Sequence, residues 1–183
     1  MESIDGLRLR GIREDDLLFF YDMYSNPEVM RYTLTDACTR LEDYLPYFEN
    51  SMRDAMKAEK LRFEYVAELP DGTRIGMGDI DLDRAEPSYA AEIGYMLLPQ
   101  YWGQGYATRI AGRLLKIGFS ELGLKRMFAR CNAHNTRSEN VMKKCGMRLE
   151  GVGIGARFKN GAWQDELRYA ITSGEWQAGQ TQV

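Results

Sequence analysis

The segment Gln100-Tyr101-Trp102-Gly103-Gln104-Gly105-Tyr106-Ala107 constrains this chain more than any other. An apolar run from Ile93 to Leu98 precedes it, and Pro99 closes that run. An amphipathic stretch follows, to about Leu122. The order is strand, glycine turn, helix start. Two glycines let the backbone pass close to a ligand with no Cβ in the way. A helix start presents unpaired N–H groups and the positive end of the helix dipole, which together hold an anion such as a pyrophosphate. No Ser, Thr, Asp or Asn lies between Pro99 and Tyr106 to cap those donors from within.

The rest of the chain supplies elements around that turn. Leu7, Leu9 and Gly11 alternate with Arg8 and Arg10, which suits a first strand whose arginines, with Arg13, form a solvated face. Asp15 precedes a short helix through Leu17, Leu18, Phe20 and Tyr21 that ends near Asn26-Pro27. Thr39 to Lys57 is a second helical region, which Pro46 divides or kinks. Phe63–Leu69 and Ile75–Leu82 read as strands joined by the turn Pro70-Asp71-Gly72-Thr73. Tyr89–Leu98 is the strand before the glycine turn. The helix after it buries Tyr106, Ile110, Leu114 and Ile117, with Phe119 at the edge of that stripe and Arg109, Arg113 and Lys116 outward. Met127–Cys131 is a short strand. Asn135 starts a helix that stops at Gly146. The last hairpin turns at Asn160-Gly161. Helices between strands, with hairpins at the middle and end, predict an α/β or α+β sheet with parallel and antiparallel parts.

The totals narrow the function classes. At 183 residues, with no repeat or composition break, the chain reads as one domain over 1–183. A net charge of −3 gives no general attraction to nucleic acid or anionic lipid. Nothing near Met1 has the basic and apolar regions of a signal peptide, and no apolar run reaches membrane-spanning length. Cys38, Cys131 and Cys145 have neither metal-ligand nor redox spacing, and His134 is the one histidine, so no metal centre is expected. A cytoplasmic protein with reduced thiols fits these counts.

Gly103-Gln104-Gly105 also invites a dinucleotide-binding interpretation. That pattern wants a third Gly or Ala where Thr108 stands, and an acid where the next strand runs out in Asn132-Ala133-His134-Asn135. A phosphate loop needs Gly-Lys-Ser/Thr, which is lacking. The glycine pair taken alone suits a tight turn without a ligand equally well.

Its surroundings decide the matter. Gln100-x-x-Gly103-x-Gly105 matches the acetyl-coenzyme A motif of the GNAT superfamily of N-acetyltransferases. Asn135-x-x-Ser138-x-x-Val141-x-x-Lys144-x-Gly146-Met147 resembles that superfamily's next conserved helix. Ala91-Glu92-Ile93-Gly94-Tyr95 and Asn160-Gly161-Ala162-Trp163-Gln164-Asp165-Glu166 narrow the resemblance to the RimJ/RimL branch, whose best-known members acetylate N-termini of ribosomal proteins. The resemblance covers about residues 6–176.

It implies a single α/β domain with a mixed, mostly antiparallel sheet of about seven strands, splayed at the cofactor site and flanked by about four helices. Pantetheine would lie in the splay. Leu97 and Leu98 would offer it backbone groups, and a backbone N–H near Leu97 would meet the tetrahedral oxyanion. Gly103, Gln104, Gly105, Tyr106, Ala107 and Thr108 would hold the phosphates. Asn135 would contact pantetheine while capping its helix. Acetyl-coenzyme A would be a co-substrate, with an amine acceptor and no metal, and the resemblance leaves room for a homodimer.

The chemistry needs a base, because an α-amino group has a pKa of about 8 and a lysine amine about 10.4. Glu92 lies in an apolar strand, where burial would raise its pKa into a useful range. Strand alternation equally permits a solvated face for it. The branch proposes a Glu at this place as general base, acting directly or through water. Many members place a tyrosine proton donor where this chain has Met142, and Met cannot donate. Ser138, one turn earlier, is the substitute proposed in this branch; on its own it reads as an exposed first-turn serine. His134 reads as a loop histidine. Cys145, beside Lys143 and Lys144, has neighbours that would lower its pKa, yet packing is its simpler role. Met30, Tyr32 and Tyr44 to Phe48 fall where the superfamily builds its acceptor pocket. A protein N-terminus, a small amine such as a polyamine, amino acid or antibiotic, and a non-catalytic acyl-coenzyme A sensor all remain open.

Overall fold

A computed structural model describes residues 6–82 and 89–180 of the chain. The expectation of no leader at Met1 falls outside the described residues. Seven strands form one sheet: β1 (Arg8–Gly11), β2 (Arg62–Glu68), β3 (Arg74–Leu82), β4 (Ala90–Leu97), β5 (Arg126–Asn132), β6 (Arg148–Lys159) and β7 (Ala162–Thr172). Their order across the sheet is β1-β2-β3-β4-β5-β7-β6. Among the described residues only β4 and β5 run parallel; every other neighbouring pair is antiparallel. Asn160 (φ 51°) and Gly161 (φ 76°) make the last hairpin turn, as the Asn-Gly pair requires.

Among the described residues six α-helices accompany the sheet: α1 (Leu17–Tyr24), α2 (Pro27–Met30), α3 (Leu41–Met56), α4 (Tyr106–Lys116), α5 (Thr136–Lys144) and α6 (Ser173–Gln180). The expected four undercount them. The additions, α2 and α6, are short: α2 is a single turn, and α6 contains Gly174 and Gly179, so neither shows a sustained apolar stripe. Pro46 does not divide α3. It stands inside a continuous helix, where it removes one backbone donor in the second turn.

Strand alternation gives the sheet two faces. Ile80, Ala91, Ile93, Met127 and Ala129 point to one face and pack against Ile110 and Leu114 of α4 and Met142 of α5. Val66 and Met77 point to the other, under Phe20 and Met23 of α1 and Tyr44 and Phe48 of α3. Helix α4 lies very close to β3. A Cβ at Gly78 would come within 2.9 Å of Ile110 Cγ2 and Leu114 Cδ1, so glycine there sets the helix-to-sheet distance. Ile110 and Leu114 are fully buried, each stabilising by about 1.5–3 kcal/mol relative to exposure.

The arginines of β1 are not a uniformly solvated face. Arg10 lies almost wholly buried, with Nη1 and Nη2 each 2.7 Å from the Asp16 carboxylate and Nε 2.6 Å from Glu68. Asp16 also accepts the Arg13 N–H at 2.7 Å, and Arg74 Nε lies 3.2 Å from it. Two carboxylates compensate one buried guanidinium, a pairing that charge alternation along β1 alone does not reveal.

Candidate active site

The parallel pair β4–β5 supplies the geometry. Cα partners run Ala90↔Arg126, Ala91↔Met127 and Glu92↔Phe128, and there the pairing ends. Beyond that point β4 stays paired with β3 to Leu97, and β5 stays paired with β7 to Asn132. The two strands therefore diverge after Glu92 and leave a wedge between their C-terminal halves. The wedge opens toward the start of α4.

The glycine turn sits at that mouth. Gly103 (φ 75°) and Gly105 (φ 82°) adopt the left-handed conformation that side chains with a Cβ resist. Gly105 is the N-cap of α4, and no side chain caps the helix. The first intrahelical bond runs from Arg109 N–H to Gly105 O at 3.2 Å. The N–H groups of Tyr106, Ala107 and Thr108 thus have no helical acceptor and point outward from the first turn. Gln104 folds back, its Nε2 donating to Gln100 O at 2.9 Å.

Leu97 and Leu98 differ in what they can offer. Leu98 donates its N–H to Ile75 O and accepts from Tyr101 N–H, each at 3.0 Å. Both its backbone groups already have a partner, although its carbonyl can accept a second bond. Antiparallel alternation then turns the backbone groups of Leu97 away from β3, toward the wedge. The Leu97 carbonyl accepts the Trp102 indole N–H at 2.8 Å, so its N–H is the group turned to the wedge without a side-chain claim on it.

Helix α5 forms the other wall. Asn135 caps it, its Oδ1 accepting from Ser138 N–H at 3.1 Å. Ser138 is half-buried rather than an exposed first-turn serine, and its Oγ lies 3.1 Å from the hydroxyl of Tyr95 on β4. Met142 is fully buried in the core beneath. Cys145 donates weakly to Thr108 O at 3.7 Å, tying the end of α5 to the first turn of α4. Its lysine neighbours do not activate it. Burial pushes its thiol up to about 11, so it stays protonated at neutral pH. His134 is exposed and does not enter the wedge.

Glu92 marks the point of divergence, on the opposite face from α4 and α5. It is not the lone carboxyl in an apolar setting that its neighbours suggested. Arg130 grips it with two bonds, Nε to Oε1 at 2.9 Å and Nη2 to Oε2 at 2.6 Å. Around it the sheet face is acidic. The register sets Asp81 opposite Glu92, and Glu64 and Gly94 on either side of Asp79. Gly94 matters sterically, because a Cβ there would collide with the Asp79 carboxylate. Arg62 lies 3.0 Å from Glu64 and 3.6 Å from Asp79. Burial, aided by Glu64, Asp81 and Glu92, pushes the Asp79 carboxyl up to about 6 despite the opposing effect of Arg62.

Tyr24 and Tyr44, stacked 4.9 Å apart, stand beside these acids. Burial foremost, with Asp79 and Glu64 adding to it, raises the Tyr24 phenol well above its usual value. Met30, Tyr44 and Phe48 of the expected acceptor pocket are buried packing residues, whereas Tyr47 is exposed. Asp79 and Arg130 escaped the sequence reading, and Tyr95 entered it only as part of the Ala91–Tyr95 motif, with no role. The alternation of Asp79 and Asp81 with Ile80 and Leu82 was the visible signal for Asp79, since it puts two acids on a single sheet face.

A splayed parallel pair, with an uncapped glycine helix start at its mouth, defines an acyltransferase that takes its acyl group from coenzyme A. The chain belongs to the acetyltransferase (GNAT) domain family, whose sequence profile matches residues 6–148, and acetyl-coenzyme A is its co-substrate. It is 33% identical over 170 residues to the uncharacterized N-acetyltransferase YnaD of Bacillus subtilis, covering 93% of this chain and 95% of that protein. It is 24% identical to spermidine N(1)-acetyltransferase of Escherichia coli over 171 residues, covering 93% of this chain and 88% of that one. In fold it is similar to spermidine N-acetyltransferase from Vibrio cholerae, solved in complex with CoA and spermine. The TM-score is 0.84 at 22% identity, over 94% of this chain and 98% of the other.

Among the described residues no group of three or more His, Cys, Asp or Glu side chains is placed to hold a metal ion. No helix there is long and apolar enough to cross a membrane.

Proposed function

We propose that this chain, as one domain over 1–183, acetylates a small polycationic amine of the polyamine class. The carboxylate row Glu64, Asp79, Asp81 and Glu92, beside the end of the β4–β5 pairing, carries this reading. Glu64, Asp79 and Glu92 there outnumber the guanidiniums of Arg62 and Arg130 that they face, an acidic setting suited to a substrate with several ammonium groups. The spermidine N-acetyltransferases among its relatives support the same choice.

The roles follow from placement. The N–H groups of Tyr106, Ala107 and Thr108, with the backbone at Gly103, Gln104 and Gly105, receive the pyrophosphate. Asn135 contacts pantetheine at the head of α5, and the Leu98 side chain packs against it. Glu92 takes the proton from the attacking amine, directly or through water. For that, Arg130 loosens its grip, and Glu166, 3.5 Å from Arg130 Nη1, receives the guanidinium. The Leu97 N–H meets the oxyanion, and Ser138 protonates the departing thiolate. Transfer is direct, with no acetyl-enzyme on Cys145.

Thiol release from acetyl-coenzyme A, followed with spermidine and with a panel of peptide N-termini, tests the acceptor. Turnover of peptides but not spermidine would move the chain to the RimJ/RimL activity, which the Asn160–Glu166 motif favours. Binding of acetyl-coenzyme A without turnover of any amine would make it a sensor. We place the protein in the cytoplasm, in keeping with free thiols at Cys38, Cys131 and Cys145. A homodimer fits the edge strand β6, where Val152 and Ile154 are exposed, Ile154 by 88%. Sedimentation as a monomer at micromolar concentration would remove that part.

A further inference from the structure

The loop between α2 and α3 is held in place by side chains from the far end of the chain. Lys159, at the end of β6, has a side chain only 7% exposed. Its Nζ donates to Met30 O at 2.6 Å, Thr33 O at 2.9 Å and Thr35 O at 2.8 Å. An ammonium has three protons, and here each finds a carbonyl. The Asp36 carboxylate, 3.7 Å away, adds an opposite charge from the same loop. Two residues earlier, Arg157 Nη1 donates to Tyr32 O at 3.3 Å. Four residues of the loop, and Met30 at the end of α2, are thus engaged by two cations of one strand.

Both ends of this contact lead to the amine site. Arg157 Nε pairs with Glu166 at 2.5 Å, Glu166 lies 3.5 Å from Arg130, and Arg130 holds Glu92. The loop itself continues to Cys38, whose N–H donates to Tyr24 O at 2.9 Å, and to Thr39, whose carbonyl accepts from Tyr21. Tyr24 stands beside Asp79 and Glu64. The loop therefore spans from the β6–β7 hairpin to the carboxylate row. The wedge for coenzyme A opens on the other face of the sheet, against α4 and α5.

We propose that Lys159 and Arg157 are positioning residues, which fix residues 31–38 as one wall of the amine site and so set the affinity for the acceptor. This rests on assigning the carboxylate row to the amine. Without the ammonium, the Thr33 carbonyl loses its donor, the carbonyls of Met30 and Thr35 are left to Thr33 alone, and only Cys38 of the loop packs on the apolar cluster under α1 and α3.

The test compares Lys159→Met, Lys159→Arg and Arg157→Gln with the wild type. Amide exchange is read at Thr33, which donates to Met30 O, and at Cys38, which donates to Tyr24 O. Coenzyme A affinity is read by calorimetry, and kcat and KM with spermidine. Lys159→Met should exchange both amides at least about tenfold faster. Its spermidine KM should rise by about tenfold, with kcat and the coenzyme A Kd within about threefold, and Lys159→Arg should recover most of the loss. Arg157→Gln, which keeps the ammonium, should show a smaller shift of the same kind, and it carries the test if Lys159→Met does not fold. Unchanged exchange overturns the proposal, as does a parallel loss of coenzyme A affinity and kcat. Wild-type protein inert toward spermidine would sink the polyamine assignment instead. The tether would then stand or fall on exchange alone.

Discussion

The hydroxyl of Tyr95 lies 3.1 Å from Ser138 Oγ and 3.1 Å from the Ser138 carbonyl, and so joins β4 to α5 across the wedge. Burial raises the Tyr95 phenol far above its usual value, so it stays protonated. The Ser138 carbonyl accepts the Tyr95 proton, and in the contact with Ser138 Oγ either hydroxyl can donate. In the proposed mechanism Tyr95 orients Ser138, and Ser138 supplies the proton to the thiolate.

From that contact, Ser138→Ala should lower kcat about tenfold, and Tyr95→Phe about three- to tenfold, the scale of one hydrogen bond. The KM for acetyl-coenzyme A should stay within about twofold in both. The double variant should be no slower than Ser138→Ala. Independent, multiplying losses in a double-mutant cycle would show that the two hydroxyls do not act together.

Glu92→Gln keeps the shape of the Arg130 contact and removes the proposed base. Turnover should drop by a factor on the order of 10² or more, with coenzyme A affinity unchanged. Arg130→Gln releases Glu92 from its ion pair, and the spermidine KM should fall as the carboxylate becomes free for an ammonium. A rise in KM with no change in kcat would mean that Arg130 itself helps bind the acceptor.

Gly105→Val places a branched Cβ on a residue at φ 82°, at a cost of about 1–2 kcal/mol in backbone conformation alone. A Cβ there meets no protein atom, so the fold should survive. The coenzyme A Kd should nevertheless rise by about tenfold or more, because the turn must open its amides to the pyrophosphate. An unchanged Kd in a folded variant would place the phosphates elsewhere.

Asp79 supplies the pH dependence. Its folded carboxyl titrates near 6, above an unfolded value of about 3.9. The native state therefore binds this proton more tightly. Its contribution to stability is complete below about pH 4 and is lost as pH rises through about 6. Asp79→Asn should flatten the stability profile between pH 4 and about 6. In the same interval the wild-type spermidine KM should fall as Asp79 ionises. Chemical denaturation and initial rates across that range check both, and a wild-type profile identical to that of Asp79→Asn would reject the assignment.

Local chemistry in the sequence was enough for the elements whose signals are short-range. Gly103 and Gly105 with Pro99 and the stripe of α4 fixed strand, turn and helix, because left-handed φ and helical periodicity are written in neighbouring residues. Asn135 with Gly146 bounded α5, and Asn160-Gly161 placed the last hairpin, for the same reason. The order of these motifs led to the family. Tertiary structure alone decided what depends on contacts between distant segments. Glu92 received Arg130 from 38 residues away, Arg10 received Glu68 from 58, and Lys159 received carbonyls 124 to 129 residues earlier. A charge in a sequence has no partner until the chain is folded. Burial and pairing then decide whether it is a base, a clamp or part of the scaffold.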